Sequence, residues 1–182
     1  MPTLYAALDD RVLVVRGERP ASDPAAGERR SAWSVAGRFT GHEFTSLAAT
    51  PAAPERVFVG TVESGLFRST DGGRTWAEVG GFTDRITAVA VSPHDPDVVW
   101  VGIEPSAVYR SSDGGATWER REGLRDLASE PRWSYPPRPD TDHVRWLAAH
   151  PADPGYLYVA VEAGAFVRTL SITKAPSSIR QP

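Results

Sequence analysis

Counting six residues back from four arginines that close short alternating runs (Arg16, Arg68, Arg110 and Arg168) lands on Asp10, Val62, Glu104 and Glu162, with Glu63 beside the exception. Carboxylates at one recurring position are the residue type that cleaves a glycosidic bond: one protonates the leaving oxygen while another, ionised, acts as base or nucleophile. The same acids suit capture of a polar or cationic ligand, or simply stand solvated at exposed corners and keep edges soluble. A second set lies in DLASEPRWSYPPRPDTD at 126–142: Arg132, Trp133, Tyr135, Arg138, Asp140 and Asp142, followed by His143. Aromatic platforms and charges on a proline-stiffened loop are what binding sites on rigid scaffolds present. The aromatics can equally seal the loop onto its neighbour. His42, His94 and His150 are single histidines without ligand spacing and read as surface residues, so no metal site is expected. There is no phosphate-cradling glycine loop and no nucleophile elbow, and no cofactor is expected.

The elements that position these residues repeat. Ser69-Thr70-Asp71-Gly72-Gly73-Arg74-Thr75-Trp76 returns as Ser111-Ser112-Asp113-Gly114-Gly115-Ala116-Thr117-Trp118, an offset of 42 residues from position 69 to position 111. A phrase ending in two prolines occurs three times: LAATPAAP from Leu47, VAVSPHDP from Val89 and LAAHPADP from Leu147. Each is followed by a β-rich run (RVFVGTV, VVWVGIE, YLYVAVE) and then by a run ending in one of the aligned arginines. Short runs of β-formers punctuated by Gly and Pro are strands, and no window carries a competing helical period. One unit is therefore four strands. A is the apolar phrase, B the valine-rich run, C the run ending in Arg, and D opens at the Trp. The Asp and Gly-Gly of the repeated octet suit a C–D hairpin: Asp71 and Asp113 accept backbone N–H groups, the glycines supply positive φ, and Ser69, Gly73, Thr75, Ser111, Gly115 and Thr117 complete the turns. Trp76 and Trp118 are expected to wedge between neighbouring sheets.

The pattern S-x-D-G-G-x-T-W resembles the Asp-box, or BNR repeat, of sialidase-like and WD40/YVTN-like β-propellers, and about 42 residues is the length of one four-stranded blade. The resemblance spans roughly residues 3–169. It implies an all-β propeller of four-stranded antiparallel blades, about three and a half of them forming a partial ring. These are an incomplete blade at 3–40, blades at 44–79 and 86–121, the insert at 126–142, an incomplete blade at 143–169, and an atypical tail at 170–182. In such a fold the C–D and A–B turns share one face, and the B–C and D–A loops share the face where ligands commonly bind. Proteins of this type are often labelled glycosyl hydrolases; others resemble the photosystem II stability factor or the sortilin ectodomain. LYAALDDRVLVVR around Asp10 is similar to the first-blade corner of Asp-box xyloglucanases, where an Asp six residues before the aligned Arg is catalytic, but the glycine-rich corner and the second propeller's acid are missing. The F/Y-R-I-P phrase and the arginine triad of sialidases are also absent. The four aligned arginines read as strand caps that cover tryptophan faces. After Thr169 the repeat calls for x-D-G-G-x-T-W, yet the chain reads LSITKAPSSIRQP. A truncated member is one expectation; a short edge strand at Leu170–Thr173 is the other.

The 182 residues carry a net charge of −3, which gives no reason to expect nucleic acid or an anionic membrane. Without Cys there is no disulfide, thiol nucleophile or thiolate ligand. MPTLYAALDDRVLVV has neither a basic leader region nor an unbroken apolar one, so a cytoplasmic location is expected. The leading expectation is a non-catalytic binding or assembly module that uses the B–C face and the 126–142 insert. Its partner is a protein or carbohydrate, or a second copy meeting the open blade edges. The alternatives are a glycosidase using Asp10, Glu104 or Glu162 within a complete propeller, and a fragment without activity of its own.

Overall fold

The computed structural model describes residues 2–17, 33–63, 65–127, 129, 132–133 and 141–169. Within them lie fourteen strands in four antiparallel sheets, and no helix long and apolar enough to cross a membrane. The first sheet holds β1 (Thr3–Ala7), β2 (Arg11–Gly17) and β3 (Trp33–Thr40). The second holds β4 (Phe44–Thr50), β5 (Ala53–Thr61), β6 (Leu66–Ser69) and β7 (Ala77–Val79). The third holds β8 (Arg85–Val91), β9 (Val99–Glu104), β10 (Ala107–Ser111) and β11 (Glu119–Arg121). The fourth holds β12 (Val144–Ala149), β13 (Leu157–Val161) and β14 (Phe166–Arg168). Every sheet pairs its strands in chain order. The leading strands β4, β8 and β12 pack beside one another, so the sheets are the blades of a partial β-propeller.

Glycines set how closely the blades approach. A Cβ added at Gly60 would collide with Ile86 and the Ser46 hydroxyl, and one at Gly102 would collide with Val144. Ile86 and Val144 belong to the next blade's leading strand, so each joint is a glycine receiving a branched side chain. The core is made of these joints. Phe58, Leu66, Ile86, Val99, Val101 and Ile103 fill one cluster. Trp100, Val108, Leu147, Leu157, Val159 and Val167 anchor the other.

The two S-x-D-G-G-x-T-W turns are nearly superposable in their bonding. Asp71 Oδ1 accepts the N–H groups of Arg74 and Thr75 (both 2.9 Å), and its Oδ2 accepts the Thr75 hydroxyl at 2.6 Å. The Ser69 hydroxyl donates to Asp71 at 2.8 Å and accepts from the N–H of Gly73 at 2.8 Å. Asp113, Ala116, Thr117, Ser111 and Gly115 reproduce this set. Bonds from the threonine hydroxyl and backbone hold both carboxyls well below the ordinary Asp range. Past the turns, Trp76 stacks on Phe39 (centroids 4.9 Å, 17°), and Trp118 meets Phe82 edge-on (5.4 Å, 71°). Phe39 belongs to the end of β3 in the first blade and Phe82 to the loop leading into the third, so both tryptophans sit in blade joints.

The aligned arginines do something other than cover tryptophans. Arg16 Nη2 donates to the Gly72 carbonyl at 2.8 Å, and Arg68 Nη1 donates to the Gly114 carbonyl at 2.7 Å. The C strands of the first two blades are thereby latched to the turns of the blades that follow them. Arg168 instead lies 5.0 Å from the Tyr156 ring centroid.

Candidate functional site

The B–C corners and the loops into the leading strands share one end of the arc, because Phe44, Arg85 and Val144 pair with Thr61, Glu104 and Val161 respectively. This end collects the recurring acids, and each is answered from within the chain. Asp10 is gripped by Arg11, with Nε 2.8 Å from Oδ1. The hydrogen bond from Arg11 holds the Asp10 carboxyl below its ordinary value, the wrong direction for a general acid. Glu104 is buried; it accepts the Thr141 hydroxyl at 2.6 Å and faces Arg85 Nη1 at 3.4 Å. Glu162 lies 2.7 Å from His143 Nε2 and 3.6 Å from Arg145 Nε. Each of the three carboxylates is thus engaged by an arginine, histidine or threonine side chain of the same chain.

The insert divides. Asp142 is buried, with Oδ1 3.0 Å from Arg125 Nη1 and its carbonyl accepting the Ser106 N–H at 3.0 Å. It therefore ties the insert to the third blade's B–C corner. Trp133 is buried too, at 7% exposure; its indole N–H donates to the Ser129 hydroxyl at 3.2 Å and its ring covers Gly164. Of the two roles open to this aromatic in the sequence, sealing the loop onto the blade is the one its burial fits. Arg132 is exposed. Tyr135, Arg138 and Asp140 lie outside the described residues, as do the 18–32 loop and the tail from 170.

Of the histidines, His94 is exposed, whereas His42 and His150 are half-buried. His42 sits among Phe39, Phe44 and Phe67. His150 Nδ1 accepts the N–H groups of Ala152 (3.1 Å) and Asp153 (2.9 Å), doing for the third A–B turn what the Ser92 hydroxyl does for the second. His94 Nε2 lies 3.0 Å from the His150 carbonyl oxygen. Among the described residues no group of three or more His, Asp or Glu is placed to hold a metal.

A feature not singled out from the sequence lies on the axis. β4, β8 and β12 carry a register break at one recurring place, between Phe44 and Ser46, Ile86 and Ala88, and Val144 and Trp146. A bulge there re-aims the extra residue, respectively Thr45, Thr87 and Arg145. These three line a groove of about 450 Å³ together with Ser46, Ala88 and Trp146. The alignment on Leu47, Val89 and Leu147 contains the signal: where two units have Ser46 and Ala88, the last has Trp146. Trp146 is 59% exposed and the Arg145 side chain 67% exposed, an aromatic plane and a cation side by side at the open end.

No model of a known protein family matches the chain, and no curated protein matches it. Solved propellers do. An ancestral GH74 enzyme aligns over 92% of this chain and 21% of its own, at 18% identity and TM-score 0.63. The GH74 enzyme of Niastella koreensis aligns over 98% of this chain and 27% of its own, at 18% identity and TM-score 0.61. YCF48 of Cyanidioschyzon merolae aligns over 69% of this chain and 33% of its own, at 22% identity and TM-score 0.52. A YCF48 structure with a bound D1 peptide aligns over 77% and 40%, at 18% identity and TM-score 0.51. The likeness is one of fold, and the chain spans between about a fifth and two fifths of these proteins.

Proposed function

We propose that this chain is a non-catalytic binding module whose ligand meets the B–C face at the mouth of the axial groove. The observation that carries the reading is a contrast: Asp10, Glu104 and Glu162 are each engaged within the chain, while Trp146 is 59% exposed beside Arg145. Exposed aromatic and arginine side chains on a rigid concave surface are the residue types that dominate recognition energies. The described part of the insert supports this face by packing, through Trp133 and Asp142, and the ligand contacts fall to the leading strands. Both ligand classes expected from the sequence stay in view. The peptide-bound YCF48 neighbour favours a polypeptide, and the GH74 neighbours favour a carbohydrate.

The test is binding of the full chain to peptide and glycan arrays, repeated with Trp146→Ala and Arg145→Ala. Loss of a buried aromatic contact costs roughly 2 kcal/mol, so Trp146→Ala should weaken any true ligand about 30-fold. Ligands retained equally by both variants would remove the groove from consideration. The second reading is a glycoside hydrolase whose rim carboxylates act in a complete propeller, favoured by the GH74 fold neighbours. Aryl-glycoside or xyloglucan turnover lost on Asp10→Ala, Glu104→Ala or Glu162→Ala would establish it over the first.

A further inference from the structure

The first glycine of each D-G-G turn is held at both of its backbone groups. The Gly72 N–H donates to the Glu55 carbonyl (2.9 Å), and the Gly72 carbonyl accepts from Arg16 (2.8 Å). The Gly114 N–H donates to the Asp97 carbonyl (2.9 Å), and the Gly114 carbonyl accepts from Arg68 (2.7 Å). The acceptor is thus the residue after the second proline in the blade's own A–B turn. The donor is the C-strand arginine of the blade before.

A third copy of both clasp residues exists at the fourth blade. Gly155 follows Pro154 as Glu55 follows Pro54 and Asp97 follows Pro96. Arg110 is the preceding blade's arginine. It pairs in register with Trp100, as Arg68 pairs with Phe58, and Trp100 packs with Leu157, Val159 and Val167 of the fourth blade. Arg110 thus holds, ahead of the fourth blade, the register position that Arg68 holds ahead of the third. Among the described residues it makes no hydrogen bond, and its Nε is buried without an acceptor. Burial, and then the neighbouring Arg121, disfavour its charge, while Glu119 and Asp95 of its own blade oppose this; among the described residues no carbonyl receives its guanidinium as one receives those of Arg16 and Arg68. β14 pairs only with β13 among the described residues, so its outer edge can take a further strand.

We propose that Arg110 and the Gly155 carbonyl form an open clasp for the first glycine of a D-G-G turn carried by another polypeptide, whose following strand adds to β14. The occupant's chemistry comes from the two filled clasps: an S-x-D-G-G-x-T-W segment, its glycine N–H on Gly155 and its glycine carbonyl on Arg110. The clasp lies at the A–B turn end of the arc, opposite the mouth of the axial groove, and is independent of the function proposed there.

The probe is the peptide Ser69–Val79, STDGGRTWAEV, titrated into the full chain by calorimetry or fluorescence anisotropy. Saturable binding is expected, weakened about 10-fold or more by Arg110→Met, with folding of the variant checked by circular dichroism. A second arm leaves the protein untouched: a peptide with Gly72→Pro loses the N–H donor and the left-handed φ of 72°, and should not bind. Absence of saturable binding by the parent peptide overturns the proposal. So does equal binding by Arg110→Met, or by the Gly72→Pro peptide.

Discussion

Arg68 and Arg110 stand at the same register of consecutive blades, and their exchange for methionine separates the latch from the packing. Methionine keeps an unbranched stem and removes the guanidinium, so apolar burial changes alike at both sites. At Arg68 the Gly114 carbonyl loses a charged donor at 2.7 Å. Hydrogen bonds to charged groups contribute about 1.5–3 kcal/mol, and the carbonyl left behind adds a desolvation cost. For a chain of this length each kcal/mol shifts Tm by roughly 2–4 °C, so Arg68→Met should lower Tm by roughly 3–12 °C. At Arg110 no carbonyl is lost, and a partly buried charge is replaced by a neutral side chain. Arg110→Met should therefore leave Tm within about 2 °C of the parent or raise it. Urea unfolding followed by tryptophan fluorescence gives the same comparison as free energies. Equal destabilisation by the two substitutions would refute the reasoning, because it would assign the arginine's value to its stem.

The turn carboxylates predict a pH dependence. Asp71 and Asp113 are held below the unfolded Asp value of about 4, so their stabilisation is complete above that value and is lost as pH falls through the folded values. The double variant Asp71→Asn with Asp113→Asn should be less stable near neutrality and should lose less between about pH 5 and about pH 2, as read from urea midpoints. Gly60→Ala and Gly102→Ala each push a methyl into the next blade's Ile86 or Val144, and each should cost about 1–3 kcal/mol in the same unfolding assay. Gly81→Ala has open space around it, so its cost should come from the positive φ of 57° alone and be smaller, about 1 kcal/mol.

The blade architecture was legible because its signals are local and repeated: the proline-ended phrase, the valine-rich run, the run ending in Arg, and the Gly-Gly turn. Strand order in a propeller follows chain order, so no long-range pairing had to be inferred. The corner acids were legible as positions, but their chemistry was not. Arg85 and Thr141 reach Glu104 from 19 and 37 residues away, and such neighbours emerge only when the corners close. The partners of the arginines were not legible for a similar reason, since Gly72 and Gly114 are 56 and 46 residues downstream of Arg16 and Arg68. Trp133 carried equal signals for binding and for sealing, and only its burial against Gly164 separates them. The axial groove was missed because bulges at Thr45, Thr87 and Arg145 turn these side chains out of simple alternation. A closer comparison of the three aligned units would have flagged Trp146, which replaces a small residue.

The most direct test of a binding role without chemistry is one pull-down from mixed peptide and glycan libraries by the full chain and by Trp146→Ala, with bound material weighed by mass spectrometry. The account predicts a set of intact ligands retained by the parent chain and lost from the variant. Ligands recovered cleaved, or retained equally by the variant, would contradict it.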